Sequence, residues 1–418
     1  MSYNFLDLFA GAGGLSEGFI RAGFMPVAHI DADKAACYTL KTRMAYKELL
    51  KSGREDIYIE YLSGKINRAE FYKAVPEKIL DTVIHESISI ESISSIFEKI
   101  DSLINNSHLD LIIGGPPCQA YSVIGRSRDK NKMIGDSRNY LYKLYAMFLE
   151  KYQPKYFVFE NVMGLLSAKD INGVSYFEKM RWLFKEKGYS VEYSTINASD
   201  YGVLQNRRRI ILIGKRGNHE GFYPEIVKDS INADVSEIFC DLPQICAGGG
   251  FSYLMGTLPY NGNYLYNTGI KRFDQESVSL HWARPHTERD LEIYRIAVQL
   301  WNNKKRRLNY NDVPEHLQTQ KNKESFLDRF KVVAGNMPHC QTVVAHISKD
   351  GHYFIHPDIK QNRSLTPREA ARLQTFPDDY YFESVSGEPG RTAAYKQIGN
   401  AVPVLLAEKI AKALQEEW

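Results

Sequence analysis

Three short stretches of the chain carry side chains that can do chemistry together. Gly114-Gly115-Pro116-Pro117-Cys118-Gln119 presents a thiol behind two prolines, and prolines stop regular structure where they stand. Phe159-Glu160-Asn161-Val162 offers a carboxyl group, and Gln205-Asn206-Arg207-Arg208-Arg209 offers three guanidiniums. A thiolate can add to an electron-poor carbon and leave again, dividing one hard step into easier ones. A carboxyl group beside it can hold or deliver a proton. An arginine can orient that carboxyl or a substrate oxygen. Each group also has an ordinary alternative. Cys118 is one of five cysteines, Glu160 suits a salt-bridged strand end, and the arginines suit a phosphate patch or plain surface charge.

A fourth stretch points to a small ligand. Phe9-Ala10-Gly11-Ala12-Gly13-Gly14 follows an apolar run and precedes a helical pattern from about Leu15. Such a Gly-rich turn lets backbone approach a ligand, and a helix N-terminus offers free N–H groups. Asp31 ends the next apolar run, where a carboxylate can accept hydrogen bonds from ribose hydroxyls. The nicotinamide fingerprint needs a glycine at position 16, which is Ser16.

These residues need a frame to hold them. Phe5–Phe9, Val27–Ile30, Leu109–Ile113, Tyr156–Phe159 and Arg209–Ile213 read as short buried strands. Helical spacing separates them, as in Ile93, Ile96, Phe97, Ile100, Leu103 and Ile104. Alternation of this kind over residues 1–215 predicts an α/β fold, a mostly parallel sheet covered on both faces. The thiol, Glu160 and the glycine turn then share the C-terminal edge of the sheet, the usual ligand crevice. Within Gln205–Arg209, alternation places Arg207 and Arg209 on one face. The pattern breaks after Gly214, which predicts a second, less regular domain over 216–389. Thr366-Pro367-Arg368-Glu369 fits a capped helix start, and a final helix over about Val404–Glu417 returns to the large domain. Residues 41–80 read as a charged, solvated surface insertion.

Composition narrows the class. The chain has 418 residues, 44% hydrophobic and 25% charged, which excludes disorder. No apolar run approaches the roughly 18 residues of a membrane span. With no secretory signal at its start, the expected setting is the cytoplasm. Five dispersed cysteines without a C-x-x-C pair suit reduced thiols, not a zinc site. Net charge is only +3, but residues 302–331 hold eight Lys/Arg against four Asp/Glu. The positive charge is local.

The order of the blocks is specific. Phe9-x-Gly11-x-Gly13, Gly115-Pro116-Pro117-Cys118-Gln119, Glu160-Asn161-Val162 and Gln205-x-Arg207-x-Arg209 come first. Arg363-x-Leu365-Thr366-x-Arg368-Glu369 and Gln397-Ile398-Gly399-Asn400-Ala401-Val402-Pro403 follow. The sequence resembles the DNA (cytosine-5) methyltransferase family, closely over residues 1–215 (apart from 41–80) and 361–418. The resemblance implies a Rossmann-like, S-adenosylmethionine-dependent catalytic domain over 1–215, closed by residues 390–418. Residues 216–389 become a smaller, irregular target-recognition domain. It implies Cys118 as nucleophile, Glu160 as the carboxyl at the base, and Arg207 and Arg209 as its supports. The Pro116 carbonyl, Gln119, Ser122, Gln205, Arg126 and Arg128 fall to the substrate. Phe9, Gly11, Gly13, Asp31, Pro117, Leu141 and Asn400 fall to the cofactor, whose product is S-adenosylhomocysteine; no metal is implied. The family usually has Glu where Asp31 stands, followed by an aromatic where this chain has Ala32. Its usual Gly-Asp-Ile is replaced by His85-Glu86-Ser87-Ile88, so either Glu86 or Ser87 is expected at the adenine.

The implied partner is double-stranded DNA. A paired cytosine hides C6 within the stack, so the base must be flipped out. Lys304-Lys305-Arg306-Arg307 could face phosphates, or simply complement a helix C-terminus. His281-Trp282-Ala283-Arg284-Pro285-His286 could read bases or pack. A monomer of restriction-modification type, working beside a cognate nuclease or defence protein, is the expectation. A tRNA cytosine methyltransferase and a non-catalytic DNA-binding regulator are the alternatives.

Overall fold

Alternating apolar side chains build a seven-stranded sheet whose two faces are both covered. The computed structural model describes residues 3–104, 108–117, 140–229, 232–320 and 322–418. The strands are β1 (Asn4–Leu8), β2 (Met25–Asp31), β3 (Val83–His85), β4 (Leu111–Gly114), β5 (Tyr156–Val162), β6 (Tyr189–Asn197) and β7 (Arg208–Arg216). Their order is β3-β2-β1-β4-β5-β7-β6. β3, β2, β1, β4 and β5 run parallel, and β7 runs antiparallel to both β5 and β6. The mostly parallel sheet is therefore as expected, and β3 and β6 are additions to the five strands read from the sequence.

The period of two sorts the strands' side chains. Leu6, Leu8, Ile112, Phe157, Phe159, Ile210 and Leu212 pack on one face beneath the helices Ile93–Ile104 and Leu141–Tyr152. Phe5, Leu111, Ile113, Val158, Ile211 and Ile213 pack on the other face, under α1 (Gly14–Arg21) and the final helix Val404–Glu416. Gly18 sets that helix pair, since a Cβ there would lie 2.4 Å from the Ala407 methyl. The last helix thus closes on the large domain, as expected.

Residues 41–80 correct the sequence reading. They are not a solvated insertion. Tyr46, Tyr58, Tyr61 and Phe71 are buried against Tyr380, Tyr381 and Phe382 in one apolar cluster. α2 (Lys34–Lys51) contributes Arg43, whose guanidinium bridges Glu17 of α1 and Asp379, each at 2.7 Å. The Tyr58 hydroxyl donates to the Asp379 carbonyl at 2.8 Å and that of Tyr61 to Glu383 Oε1 at 2.6 Å. Rings that look polar in sequence bury their faces and satisfy their hydroxyls.

Among the described residues between 218 and 360, β8 (Gly250–Leu254) pairs antiparallel with β9 (Val278–Trp282), and the longest helix is Glu288–Lys304. Buried arginines fasten this region to the helix Pro367–Leu373. Arg372 holds Asp378 through Nε at 2.9 Å and also holds Asp241, and Arg368 Nε donates to the Ser279 carbonyl at 3.0 Å. That helix has the expected capping box: the Thr366 hydroxyl accepts the Glu369 amide, and the Glu369 carboxylate accepts the Thr366 amide.

Candidate active site

The C-terminal edges of β1, β2, β4 and β5 open onto one cavity of about 330 Å³. Phe9, Gly11, Asp31, Pro116, Pro117, Glu160, Arg209 and Asn400 all line it. Residues drawn from six separate stretches of the sequence thus meet in one place.

The glycine turn is tight. Phe9 leaves β1 with φ +58°, Gly11 follows at +54° and Gly13 at +78°. For a bulky residue such as Phe9 the left-handed region is strained, a condition found mostly where geometry serves function. Asp31 Oδ2 accepts the Gly11 amide at 2.8 Å, and Oδ1 accepts the Asp33 amide at 2.7 Å. Burial raises the Asp31 pKa against those two hydrogen bonds. Gly13 lies behind the cavity wall at the start of α1, where a Cβ would meet Leu40 at 2.7 Å and the Tyr380 hydroxyl at 2.9 Å.

The opposite wall carries the carboxyl. Register pairs Glu160 with Ile211 and Val162 with Arg209, so Glu160 and Arg209 are diagonal neighbours on one face of the sheet. Arg209 Nε meets Glu160 Oε1 at 2.7 Å, with the two side chains 12% and 14% exposed. Gly115 leaves the carboxyl its present position, because a Cβ would fall 2.8 Å from Glu160 Oε2 and 3.1 Å from the Glu160 carbonyl oxygen. Asn161 Nδ2 donates to the Pro116 carbonyl at 3.2 Å, steadying the turn that leads into Cys118.

Other expected site residues lie elsewhere. Arg207 precedes β7 and its Nη1 donates to the Val343 carbonyl at 2.8 Å. Gln205 is fully buried: its Nε2 donates to the Leu373 carbonyl at 2.9 Å and its Oε1 accepts the Val343 amide at 2.8 Å. Both brace the sheet edge against residues 343–374. Glu86 is off the cavity and takes Lys99 Nζ at 2.6 Å, while the Ser87 carbonyl accepts the Ser92 hydroxyl. Leu141 packs at the head of its helix, also off the cavity. Cys118, Gln119, Ser122, Arg126 and Arg128 lie outside the described residues.

Several lining residues escaped the sequence reading. Asp7 is buried beside His29 Nδ1, 3.4 Å away, and burial raises its pKa. Asp33 caps α2 by accepting the Ala35 amide and also receives Lys396 Nζ at 2.6 Å across the cavity mouth. The Asp33 cap was visible as an acid before a helical run; nothing local marks Lys396. Among the described residues no group of three or more His, Cys, Asp or Glu is placed to hold a metal. Within 281–286, His281 and Arg284 are engaged in packing. His281 is buried between Thr366 and the Pro243 carbonyl, and Arg284 donates to the Ile347 and Ser348 carbonyls. Lys304 through Arg307 are exposed.

Comparisons with known proteins bear on the family and the fold. The family model described as C-5 cytosine-specific DNA methylase matches residues 3–71 and 67–416. The type II methyltransferase M.Bpa9945I of Bacillus paralicheniformis is 39% identical over 98% of both chains. M.DdeI of Desulfomicrobium norvegicum is 31% identical over 98% of this chain and 88% of its own. The fold matches a prophage-encoded E. coli protein assigned as a DNA modification methyltransferase, with TM-score 0.63, 23% identity and 99% of each chain covered. It also matches the S. pombe Dnmt2 methyltransferase, with TM-score 0.52, 14% identity, and 99% of this chain and 98% of that one covered.

Proposed function

Because the chain belongs to the C-5 cytosine-specific DNA methylase family, we propose that it methylates C5 of a cytosine flipped out of duplex DNA, with S-adenosylmethionine as donor. The observation that carries this is the single cavity. It joins the glycine turn and Asp31 to the Glu160–Arg209 pair and to the Pro116-Pro117 turn preceding Cys118.

The residues present fit the cofactor. Carboxylates at Asp31 and Asp33 suit a ribose diol, Phe9 and Val402 supply apolar wall, and Gly14 and Leu15 open α1 toward the cavity. Phe9, Gly11, Asp31, Pro117 and Asn400 would hold it, with Gly13 shaping the turn from behind the wall; Glu86, Ser87 and Leu141 are left out, since none lines the cavity. When bound, S-adenosylmethionine supplies an electrophilic methyl group.

The chain's own residues supply the rest. The Cys118 thiolate adds to C6 of the base, which makes C5 nucleophilic, while Glu160 holds a proton at N3. Arg209 fixes the Glu160 carboxyl for that task. The Pro116 carbonyl accepts the exocyclic amine, with the Asn161 amide keeping it in place. Once C5 carries the methyl, loss of the C5 proton restores the C5–C6 double bond and expels the Cys118 thiolate. Residues 1–215 with 390–418 form the catalytic part, and 216–389 the part that chooses the sequence. Lys304 through Arg307, with Arg126 and Arg128, meet phosphates. The biological role in this reading is self-marking of DNA against a cognate restriction nuclease.

Side-by-side transfer of labelled methyl to duplex DNA and to tRNA tests the reading. Incorporation into duplex DNA at C5 of cytosine, mapped by bisulfite sequencing, is expected. Transfer to tRNA alone would overturn it.

A further inference from the structure

We propose that Tyr380 is a positioning residue for the cofactor turn, acting through the peptide between Ala12 and Gly13. This rests on the reading of the cavity as the S-adenosylmethionine site.

A helix start is usually locked by a side chain at its N-cap. At α1 the N-cap is Gly13, which has no side chain and makes no capping hydrogen bond. The turn therefore needs its lock from elsewhere. Tyr380, 368 positions away, donates its hydroxyl to the Ala12 carbonyl at 2.6 Å. The peptide so held carries the Gly13 amide, which closes the turn by donating to the Ala10 carbonyl at 2.9 Å. Ala10, Ala12 and Gly14 each line the cavity. The phenol thus sets the plane of a peptide whose neighbours form the ligand wall.

Tyr380 is itself held in place. It is 1% exposed, packs on Phe376 and Phe382, and has the Arg43 guanidinium 4.8 Å from its ring centroid. Arg43 in turn is pinned by Glu17 and Asp379. Glycine at position 13 completes the fit, because any Cβ there would strike the same hydroxyl. A residue outside the glycine turn therefore finishes it.

The test is calorimetric titration of S-adenosylhomocysteine into the full chain without DNA, comparing wild type, Tyr380→Phe and Tyr61→Phe. Tyr61 loses a hydroxyl bonded to Glu383 in the same cluster but has no bond to the turn. Tyr380→Phe is expected to weaken binding about 3- to 10-fold, the worth of one hydrogen bond. KM for S-adenosylmethionine should rise alongside, with KM for DNA unchanged, and Tyr61→Phe should bind like wild type. Equal binding by wild type and Tyr380→Phe, or equal weakening in both variants, overturns the inference. Absence of binding by wild type removes the cofactor reading itself and this inference with it.

Discussion

Two arginine–carboxylate systems in this molecule use the same chemistry to different ends. At Arg209–Glu160, Arg209 Nε meets Glu160 Oε1 at 2.7 Å, and both residues line the cavity. At Arg372 both Asp241 and Asp378 are engaged, Lys271 joins Asp241, and all four side chains are sealed from solvent. A fully paired, fully buried set has no bonding capacity to offer a ligand. A pair set in a cavity wall does. Burial and surroundings, not residue type, separate the pair at the cavity from the one that joins two parts of the fold.

That contrast can be broken most sharply at Glu160. Glu160→Gln keeps the shape and loses the proton-holding carboxyl, so kcat should fall about 10²- to 10⁴-fold. Its thermal midpoint should stay close to that of wild type, and steady-state methylation with thermal unfolding checks both. Arg372→Met should do the reverse, taking from two buried carboxylates the guanidinium they share, with Asp241 keeping only Lys271. A stability loss of about 3–5 kcal/mol is expected from chemical denaturation, with the remaining folded fraction still binding S-adenosylhomocysteine.

Acid should expose the buried set in two stages. Burial, with His352 and Arg284 nearby, pulls His286 down to about 4, and burial pulls His356 to the same value despite Glu369. The unfolded chain therefore binds more protons between about pH 6.5 and 4, and stability declines as pH falls through that window. Asp241 and Glu17 come next. Burial alone would raise them, but Arg372 with Lys271 holds Asp241 at about 2, and Arg43 with Lys47 holds Glu17 at about 2. Their contribution is complete above their unfolded values of 3.8 and 4.5 and is lost as pH falls toward 2. Midpoints measured from pH 8 to 3 should fall in this order, and His286→Gln with His356→Gln should flatten the upper stage. The smallest effect belongs to Lys396→Ala. Its ion pair with Asp33 is largely exposed and worth at most about 1 kcal/mol, so cofactor KM should rise by no more than a few-fold, and less at high salt.

What was legible in the sequence follows from range. Phe9, Gly11, Asp31, Pro116, Glu160 and Arg209 sit where strands end, so local patterning plus the order of the motifs locates them. β3 has only three residues, too few to show alternation. β6 is an edge strand with mostly polar, half-exposed side chains such as Ser190, Glu192 and Ser194. The tyrosines of 41–80 were misread because their partners, Asp379 and Glu383, lie more than 300 residues away. Gln205 was placed at the substrate because its brace to Val343 and Leu373 is visible only in three dimensions.

The claim that this cavity supports covalent methylation of cytosine has one direct test. Duplex DNA carrying 5-fluorocytosine at the methylated position, with S-adenosylmethionine present, cannot lose a C5 proton. The enzyme should remain bonded to the DNA, with the methylated adduct on Cys118 by peptide mass spectrometry and none formed by Cys118→Ala. Turnover of ordinary cytosine without any trapped adduct on the fluorinated duplex, or an adduct that persists in Cys118→Ala, would contradict the account.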